Sequence, residues 1–162
     1  MNKPIENARF QFSGINEIIE NKLYLSGDDV ASNFNLLQEK QITHILNLTS
    51  NFTNRFDGHF VYKTIKKDDK LNENILKYFK DSFEFIENVF KQNSSNRVLV
   101  HCNMGVSRSP SFVIAYLMQK RLFNSYLDSY EHVLKCRDYI YPNLGFVAQL
   151  FQLEKRLKLK NS

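Results

Sequence analysis

The segment RVLVHCNMGVSRSPSFVIAYLMQKR, residues 97–121, joins a short apolar run to a longer one through a polar turn. Residues 98–100 are typical of the end of a buried strand, and the run from Ser109 onward has the apolar content of a buried helix. The turn between them holds a cysteine, a glycine and an arginine. A strand, a tight loop and a helix N-terminus form a geometry that binds anions, because the free backbone N–H groups and the helix dipole point at the bound group.

The rest of the chain alternates short apolar runs with longer amphipathic ones. Strand patterns occur at 23–26, 43–49 and 60–65, besides the run before the cysteine. Apolar residues at helical spacing predict further helices at 28–40 with Asp28 as the cap, at 71–91, at 125–137, and at 145–158 with Asn143 as the cap. Such alternation favours an α/β fold, with a central mostly parallel sheet flanked by helices in a three-layer sandwich.

Length and composition indicate a single globular domain. The 162 residues are 43% hydrophobic, which fits one domain over 1–162 with a core over about 15–158. Two cysteines do not make a disulfide framework, and they suit a reducing compartment. Residues 1–10 carry no apolar core of a secretory signal, and no apolar run is long enough to span a bilayer. We therefore expect a cytoplasmic or nuclear protein without stable membrane anchoring.

The formal net charge of +5 is partly concentrated at 154–160, EKRLKLK. Such a run is typical of the solvated face of a terminal helix, although a patch that attracts acidic partners or a membrane surface has the same composition. No basic stripe interleaved with aromatic residues is present in the sequence, so we expect no nucleic-acid partner. The pattern leaves the oligomeric state open.

The polar turn carries groups suited to phosphate chemistry. Five residues separate Cys102 from Arg108, and a loop of this length can turn successive N–H groups toward a tetrahedral oxyanion. Gly105 permits a backbone conformation that a larger residue would resist, and Arg108 can offer its planar guanidinium group to two phosphate oxygens. The same N–H groups favour the thiolate form of Cys102, which is a nucleophile for attack on phosphorus. The Ser109 hydroxyl can hydrogen-bond the sulfur.

The segment 101–109, HCNMGVSRS, resembles the signature loop of the cysteine-dependent protein phosphatases in its dual-specificity form. Further similarities follow in the family's usual order at 24–27 (YLSG), 43–49 (THILNLT), 115–118 (AYLM) and 142–146 (PNLGF). The resemblance covers nearly the whole chain. It implies a small atypical dual-specificity phosphatase of the protein tyrosine phosphatase superfamily, which needs neither a cofactor nor a metal.

The resemblance also implies roles for individual residues. Cys102 would be the nucleophile that forms a phosphocysteine, and Ser109 would help the thiolate leave afterwards. His101 would fix the loop and tune the cysteine unless it is only a structural histidine, and Asn143 would orient the loop unless it is only a helix cap. The substrate-binding loop would consist of Cys102, Asn103, Met104, Gly105, Val106, Ser107 and Arg108.

Displacing an alcohol or a phenol from phosphorus also needs a proton donor. The family resembled here keeps this carboxylic acid on a loop well before the cysteine, and the segment 65–70, IKKDDK, follows a predicted strand. Aligning 62–65 and 77–79 with the family pattern puts Asp69 in the acid position, with Asp68 as the alternative. Both aspartates could instead be solvated turn residues.

The predicted activity is dephosphorylation of phosphotyrosine and of phosphoserine or phosphothreonine in phosphorylated protein substrates. We expect this dual specificity because the chain has no segment resembling the tyrosine-bearing loop of tyrosine-specific relatives, and because about twenty residues precede the first predicted strand. One alternative is a phosphoinositide or RNA-phosphate phosphatase on the same scaffold, although the loop lacks the lysines usual in those relatives. The other is a catalytically weak module that binds phosphoproteins.

His132 and Cys136 lie four residues apart on a predicted helix, which is half of a zinc-binding pattern. No second pair with ligand spacing occurs elsewhere in the sequence, so we interpret both as packing residues of the helix. We also expect no disulfide between Cys136 and Cys102.

Overall fold

The computed structural model describes residues 14–161, whose core is a five-stranded sheet; the expectation about an export signal falls outside these residues. The strands are β1 (Asn16–Ile19), β2 (Leu23–Ser26), β3 (His44–Asn47), β4 (Val61–Thr64) and β5 (Val98–His101). Their order across the sheet is β1-β2-β5-β3-β4, and β1 with β2 is the antiparallel pair among otherwise parallel neighbours. The predicted mostly parallel sheet is confirmed.

Helices cover both faces of the sheet, as the sandwich prediction requires. Within residues 14–161 they are α1 (Asp28–Ala31), α2 (Phe34–Glu39), α3 (Phe79–Gln92), α4 (Arg108–Gln119), α5 (Tyr126–Cys136) and α6 (Leu144–Leu159). The first two form a small core on one face, and the other four form a larger core on the opposite face. Ten of the twelve residues of α4 are buried, because this helix lies in the middle of the larger layer.

The central strand β5 is buried along its whole length. Val98 and Val100 belong to the larger core, whereas Leu99 between them belongs to the smaller one. A strand with helices on both faces has no solvent-facing side, which explains why its sequence is a continuous apolar run rather than an alternating one. Since β5 pairs in parallel with β2 and β3, the carboxyl ends of all three strands meet at one edge of the sheet.

The predicted helix over 28–40 is wrong in two respects. The segment forms two short helices, α1 and α2, and Gly27 rather than Asp28 occupies the first N-cap. The break comes at Asn33, whose side-chain oxygen accepts a hydrogen bond from the Leu36 N–H and so starts a new helix. The local capping chemistry therefore overrides the longer apolar pattern.

Two further boundaries differ from the predictions. The helix predicted from 71 begins instead with a 3-10 turn at Leu76–Tyr78, so that 71–75 belongs to the preceding loop. Strand β1 begins at Asn16, earlier than the predicted first strand, so the estimate of about twenty preceding residues is wrong. Its four residues include a glutamate and show no clear alternation, which leaves little strand signal in the sequence.

The cap of the last helix agrees with the prediction. The Asn143 side-chain oxygen accepts a hydrogen bond from the Phe146 N–H over 3.0 Å. Within residues 14–161, no helix has both the length and the apolar content needed to cross a bilayer.

Candidate active site

The segment 102–108, which we call the phosphate loop, runs from the end of β5 to the first residue of α4. Cys102 directly follows the strand and is 2% exposed, while Asn103 and Met104 in the middle of the loop face solvent. The loop therefore lies at the carboxyl edge of the parallel strands, with the thiol at its base and the N-terminus of α4 behind it. This is the predicted strand, loop and helix arrangement, and such an arrangement favours a bound anion.

Two donors contact the sulfur of Cys102. The Gly105 N–H donates to Sγ over 3.3 Å, and the Ser109 hydroxyl lies 3.1 Å from Sγ. Ser109 is fully buried and its hydroxyl also lies 3.4 Å from the Ser26 carbonyl oxygen, so its position is fixed from two sides. When the sulfur is a thiolate, both groups can donate to it and stabilise the negative charge.

Two glycines allow the end of β2 to pack against the phosphate loop. Gly105 has φ +67°, in the left-handed region, and a Cβ atom there would lie 2.6 Å from the Ser26 carbonyl carbon. A Cβ on Gly27 would lie 2.8 Å from the Asn103 carbonyl oxygen. The Asp28 N–H donates to that same oxygen over 2.8 Å, which closes the contact. Larger residues at either glycine would move the loop away from the strand.

Arg137 holds the phosphate loop from below, and the sequence reasoning missed it. Its Nε donates to the Gly105 carbonyl over 2.8 Å and its Nη2 donates to the Met104 carbonyl over 3.1 Å. The residue is 1% exposed, and a buried guanidinium group needs such acceptors. Because these two carbonyls turn toward Arg137, the neighbouring N–H groups are free to face the opposite side, where an anion would bind.

Arg108 links the phosphate loop to the second element of the site. We call residues 66–75 the acid loop, since it contains both candidate proton donors. Arg108 is half-buried, and its Nη1 donates to the Lys67 carbonyl oxygen over 2.9 Å. This bond uses one of the five N–H donors of the guanidinium group, which leaves others for phosphate oxygens.

Asp69 is turned toward the phosphate loop. Its Oδ1 accepts hydrogen bonds from the Ser107 hydroxyl over 2.7 Å and from the Asn143 side-chain amide over 2.8 Å. The Ser107 hydroxyl in turn accepts from the Asn143 N–H over 2.9 Å, so the three residues form a closed set. Asn143 thus serves both as the helix cap and as a bridge between the two loops, and the two interpretations of it are not exclusive.

Asp68 is turned away from the phosphate loop. Its Oδ1 accepts from the Ser50 hydroxyl over 2.7 Å, and its Oδ2 lies 3.3 Å from Lys70 Nζ. The hydrogen bond from Ser50 and then the pairing with Lys70 hold the pKa of Asp68 below its ordinary value. Of the two candidate acids, Asp69 is therefore the one that contacts the phosphate loop, and its role as the proton donor stays a prediction.

His101 is a neutral buried residue. Burial lowers the pKa of His101 to about 4, although its hydrogen bond with the Cys102 carbonyl acts in the opposite direction. The ring Nδ1 lies 3.3 Å from that carbonyl oxygen. Near neutral pH His101 therefore puts no positive charge beside the thiol, and its contact with the site is through the backbone of Cys102.

The acid loop is attached to α6 through Gln149, which the sequence reasoning also missed, and through Gly145, to which it assigned no role. Gln149 Oε1 accepts from the N–H groups of Ile75 and Leu76 over 2.8 and 2.9 Å, and its Nε2 donates to the Glu73 carbonyl. Gly145 packs so closely that a Cβ atom there would collide with the Leu71 carbonyl oxygen. These contacts join segments more than seventy residues apart, so no local pattern announces them.

His132 and Cys136 have packing roles in the described part of the chain. His132 Nε2 lies 2.9 Å from the Ile18 carbonyl oxygen and 3.9 Å from Cys136 Sγ. Across residues 14–161, no three His, Cys, Asp or Glu side chains are grouped as metal ligands. Cys102 and Cys136 are both free thiols.

Comparison with known families supports the resemblance. Residues 23–156 match the family model of the dual specificity phosphatase catalytic domain. The chain is 36% identical over 152 residues to dual specificity protein phosphatase 1 of Arabidopsis thaliana, which covers 94% of this chain and 75% of that protein. It is 40% identical over 140 residues to human dual specificity protein phosphatase 9, covering 85% of this chain but 36% of that longer protein.

Comparison with solved structures gives the same fold. The crystal structure of the human tyrosine phosphatase-like serine/threonine/tyrosine-interacting protein superposes with a TM-score of 0.79. The two sequences are 32% identical, and the match covers 91% of this chain and 98% of that one. The mostly parallel sheet with its flanking helices is therefore shared along almost the whole length of both chains.

Proposed function

The chain belongs to the dual specificity phosphatase family, and we propose that it hydrolyses phosphotyrosine and phosphoserine or phosphothreonine in proteins through a phosphocysteine intermediate. The observation that carries the proposal is the hydrogen bond from Ser107 to Asp69. It ties a carboxyl group to the rim of the loop whose base holds the Cys102 thiol. A phosphate between the two groups would have a nucleophile on one side and a proton donor on the other.

In the first step, the Cys102 thiolate attacks phosphorus and the bond to the leaving oxygen breaks as the P–S bond forms. Asp69 gives its proton to that oxygen, so the alcohol or phenol leaves neutral. Arg108 and the N–H groups of the phosphate loop stabilise the charge on the phosphoryl oxygens. The bond from Arg108 to the Lys67 carbonyl, at 2.9 Å, sets the side chain beside the loop before a substrate arrives.

In the second step, Asp69 as a carboxylate removes a proton from water while the water oxygen attacks phosphorus. The P–S bond breaks, its electron pair returns to sulfur, and inorganic phosphate forms. The Ser109 hydroxyl lies 3.1 Å from the sulfur and donates to the departing thiolate. The Gly105 N–H, at 3.3 Å, assists in the same way.

The surroundings of the site support dual specificity. Met104, Tyr141 and Leu144 are more than half exposed. Met104 is on the phosphate loop, and the Tyr141 N–H donates to the Val106 carbonyl of that loop. Leu144 follows Asn143, whose N–H donates to the Ser107 hydroxyl. These exposed apolar side chains would let a phosphate on a short stem reach the loop as well as one on a long stem. The basic residues at the end of α6 begin about 18 Å from Asn143 along the helix axis, so they would contact only the distant parts of a substrate.

The test is kcat/KM on matched phosphotyrosine and phosphothreonine peptides, with a soluble phosphoinositide in parallel. We expect both peptides to be hydrolysed, the phosphotyrosine peptide faster because phenol is the better leaving group. A phosphothreonine rate equal to background would refute dual specificity. A dominant phosphoinositide rate would favour the lipid phosphatase alternative, and tight peptide binding without turnover would favour a binding module.

We also propose that the enzyme acts in signalling in the cytoplasm or the nucleus. A reducing environment would keep the nucleophilic thiol active, and neither cysteine is committed to a disulfide. Fractionation of cells that express a tagged chain tests this, and recovery of the protein from the medium would contradict it.

A further inference from the structure

An ion pair lies inside the acid loop, apart from the groups that would touch substrate. Lys67 Nζ is 2.9 Å from Glu73 Oε1, and the two side chains are 10% and 22% exposed. The ammonium group also lies 4.1 Å from the centroid of the Tyr78 ring. An ion pair this sheltered is screened far less by solvent than the usual surface pair.

The two residues of this pair flank Asp69 in sequence, and both reach its neighbourhood through the backbone. Glu73 Oε2 accepts from the Asp68 N–H over 3.2 Å, while Oε1 is bound to Lys67. The Lys67 carbonyl accepts from Arg108 at 2.9 Å. The Glu73 carboxylate thus holds both Asp68, which precedes Asp69, and Lys67. The backbone carbonyl of Lys67 is the group that accepts from Arg108.

The far end of the loop is fixed independently. The Glu73 carbonyl accepts from Gln149 Nε2 over 2.9 Å, which anchors the backbone of Glu73 to α6. The carboxylate of Glu73 therefore extends from a fixed point toward the Asp68 N–H. Removing its charge would release the segment between Lys67 and Glu73 without detaching the loop from the helix.

We propose that the Lys67–Glu73 ion pair is a positioning device that holds the Asp69 carboxyl group where it can protonate the leaving oxygen. The inference depends on the proposed function, since it assigns a role within that reaction. Breaking the pair should slow hydrolysis of esters whose leaving oxygen needs a proton, and should spare esters whose leaving group departs as a stable anion.

The charge state of Glu73 is compatible with this role. Burial alone would raise the pKa of Glu73, but the hydrogen bonds from Lys67 and from the Asp68 N–H outweigh it and lower the pKa below the ordinary value. The carboxylate consequently stays charged at the mildly acidic to neutral pH at which a phosphatase of this kind would be assayed.

The experiment compares two aryl phosphates that differ in leaving group. Phenyl phosphate releases a basic phenolate that needs a proton, whereas 2,4-dinitrophenyl phosphate releases a stable anion. In Glu73→Gln, the charge is gone and the single amide oxygen can accept from Lys67 or from the Asp68 N–H but cannot hold both. We expect kcat on phenyl phosphate to fall about tenfold, kcat on 2,4-dinitrophenyl phosphate to change by less than about twofold, and KM to stay constant.

Further variants separate positioning from a general loss of structure. Lys67→Met should reproduce the selective loss, and Lys67→Arg should restore most of the rate because it keeps the cation. In an Asp69→Asn background, Glu73→Gln should cause no further loss, because the group it positions is already gone. The matched control is Asp81→Asn, which breaks the more exposed Lys63–Asp81 pair at 2.9 Å and should change neither rate.

Equal losses on both aryl phosphates, or an additive loss in the Asp69→Asn background, would overturn the proposal. Thermal unfolding of each variant shows whether it is folded, and Lys67→Met decides the question if Glu73→Gln is not. If the wild type is active and the ratio of its rates on the two aryl phosphates is unchanged in Glu73→Gln and Lys67→Met, this inference alone is refuted. A wild type inactive on both aryl phosphates and on phosphopeptides removes the proposed function as well.

Discussion

The phosphate loop and the acid loop face each other across the candidate site, but they are held in place in different ways. The phosphate loop is fixed through its backbone, by a buried guanidinium group, a positive-φ glycine and the strand and helix that flank it. The acid loop is fixed mostly by side chains, namely Glu73, Gln149 and Asn143, and its Asp69 is exposed. A nucleophile must stay at one point beneath the phosphate, whereas a proton donor has to reach leaving groups of different size. The two constructions suit these two tasks.

Replacing the nucleophile should have the largest effect. Cys102→Ser puts a poorly ionised hydroxyl where the thiolate was, so we expect turnover to fall on the order of 10⁴-fold or more. Phosphopeptide binding should remain, because the backbone N–H groups and Arg108 are unchanged. Steady-state rates and calorimetric titration measure the two properties. Turnover near the wild-type rate, or a wild-type rate that a chelator abolishes, would contradict a metal-independent thiolate mechanism.

The acid loop should contribute the next largest effect. Asp69→Asn removes the proton donor, and we expect kcat on a phosphothreonine peptide to fall about 10²-fold. The wild type should have a bell-shaped pH profile that requires ionised Cys102 and protonated Asp69, and the variant should lack the basic limb. Asp68→Asn is the matched control, since that side chain is bound to Ser50 instead. If the control loses the basic limb, the acid has been assigned to the wrong aspartate.

Two glycine-to-alanine substitutions should distinguish the contribution of the phosphate loop from that of the acid loop. Gly105→Ala forces a side chain into positive φ and against the Ser26 backbone, so phosphate affinity should fall about tenfold along with kcat. Gly145→Ala pushes on Leu71 in the acid loop, so kcat should fall severalfold for alkyl esters while phosphate affinity is retained. Inhibition by inorganic phosphate measures the affinity. Equal affinity in the two variants would mean that the loops do not act separately.

The smallest effect concerns stability against pH. The pKa of His101 is about 4 in the folded chain against 6.5 for the free side chain, so the unfolded state binds the extra proton between these values. The contribution of His101 to stability is therefore complete above the unfolded-state pKa of 6.5 and is lost as the pH falls toward the folded-state pKa of about 4. This group should cost about 1 kcal/mol of unfolding free energy between pH 7 and pH 5.5. Denaturant titrations at both pH values measure the change.

His101→Asn should lose most of this pH dependence, because the amide does not titrate in that range. Burial also lowers the pKa of His44, so His44→Asn should remove a separate, smaller part of the slope. A His101→Asn variant with an unchanged slope would show that the proton binds elsewhere.

The contrast between the loops also explains which features could be predicted from the sequence. The phosphate loop is contiguous and lies between a buried strand and a buried helix, so its motif and its surroundings are read together. Alignment with the family pattern favours Asp69 over Asp68, and the hydrogen bond from Ser107 to Asp69 is in line with that prediction. The catalytic assignments themselves remain predictions until the variants are measured.

The supporting residues could not be predicted in this way, because their partners are distant in sequence. Arg137 ends a helix and looks like a surface cation, yet it is buried beneath a loop that lies about thirty residues earlier. Gln149 bonds to backbone groups 74 and 73 positions away. Hydrophobic periodicity predicts which face of a helix is buried, but it does not predict which backbone group a polar side chain will meet. The short strand β1 could not be predicted for a similar reason, since its strand conformation depends on pairing with β2.

The buried guanidinium group of Arg137 has a consequence for how the molecule opens. Besides the two loop carbonyls, its Nη1 donates to the Gly14 carbonyl over 3.0 Å and to the Asn16 side chain over 2.7 Å. An edge strand normally frays independently of the protein interior. Fraying of β1 would remove hydrogen-bond acceptors from the buried Arg137 side chain, which also holds the phosphate loop in place. The amide hydrogens of β1 and of the phosphate loop should therefore exchange together, as one cooperative unit. A ligand that fills the phosphate loop would then also slow exchange in β1.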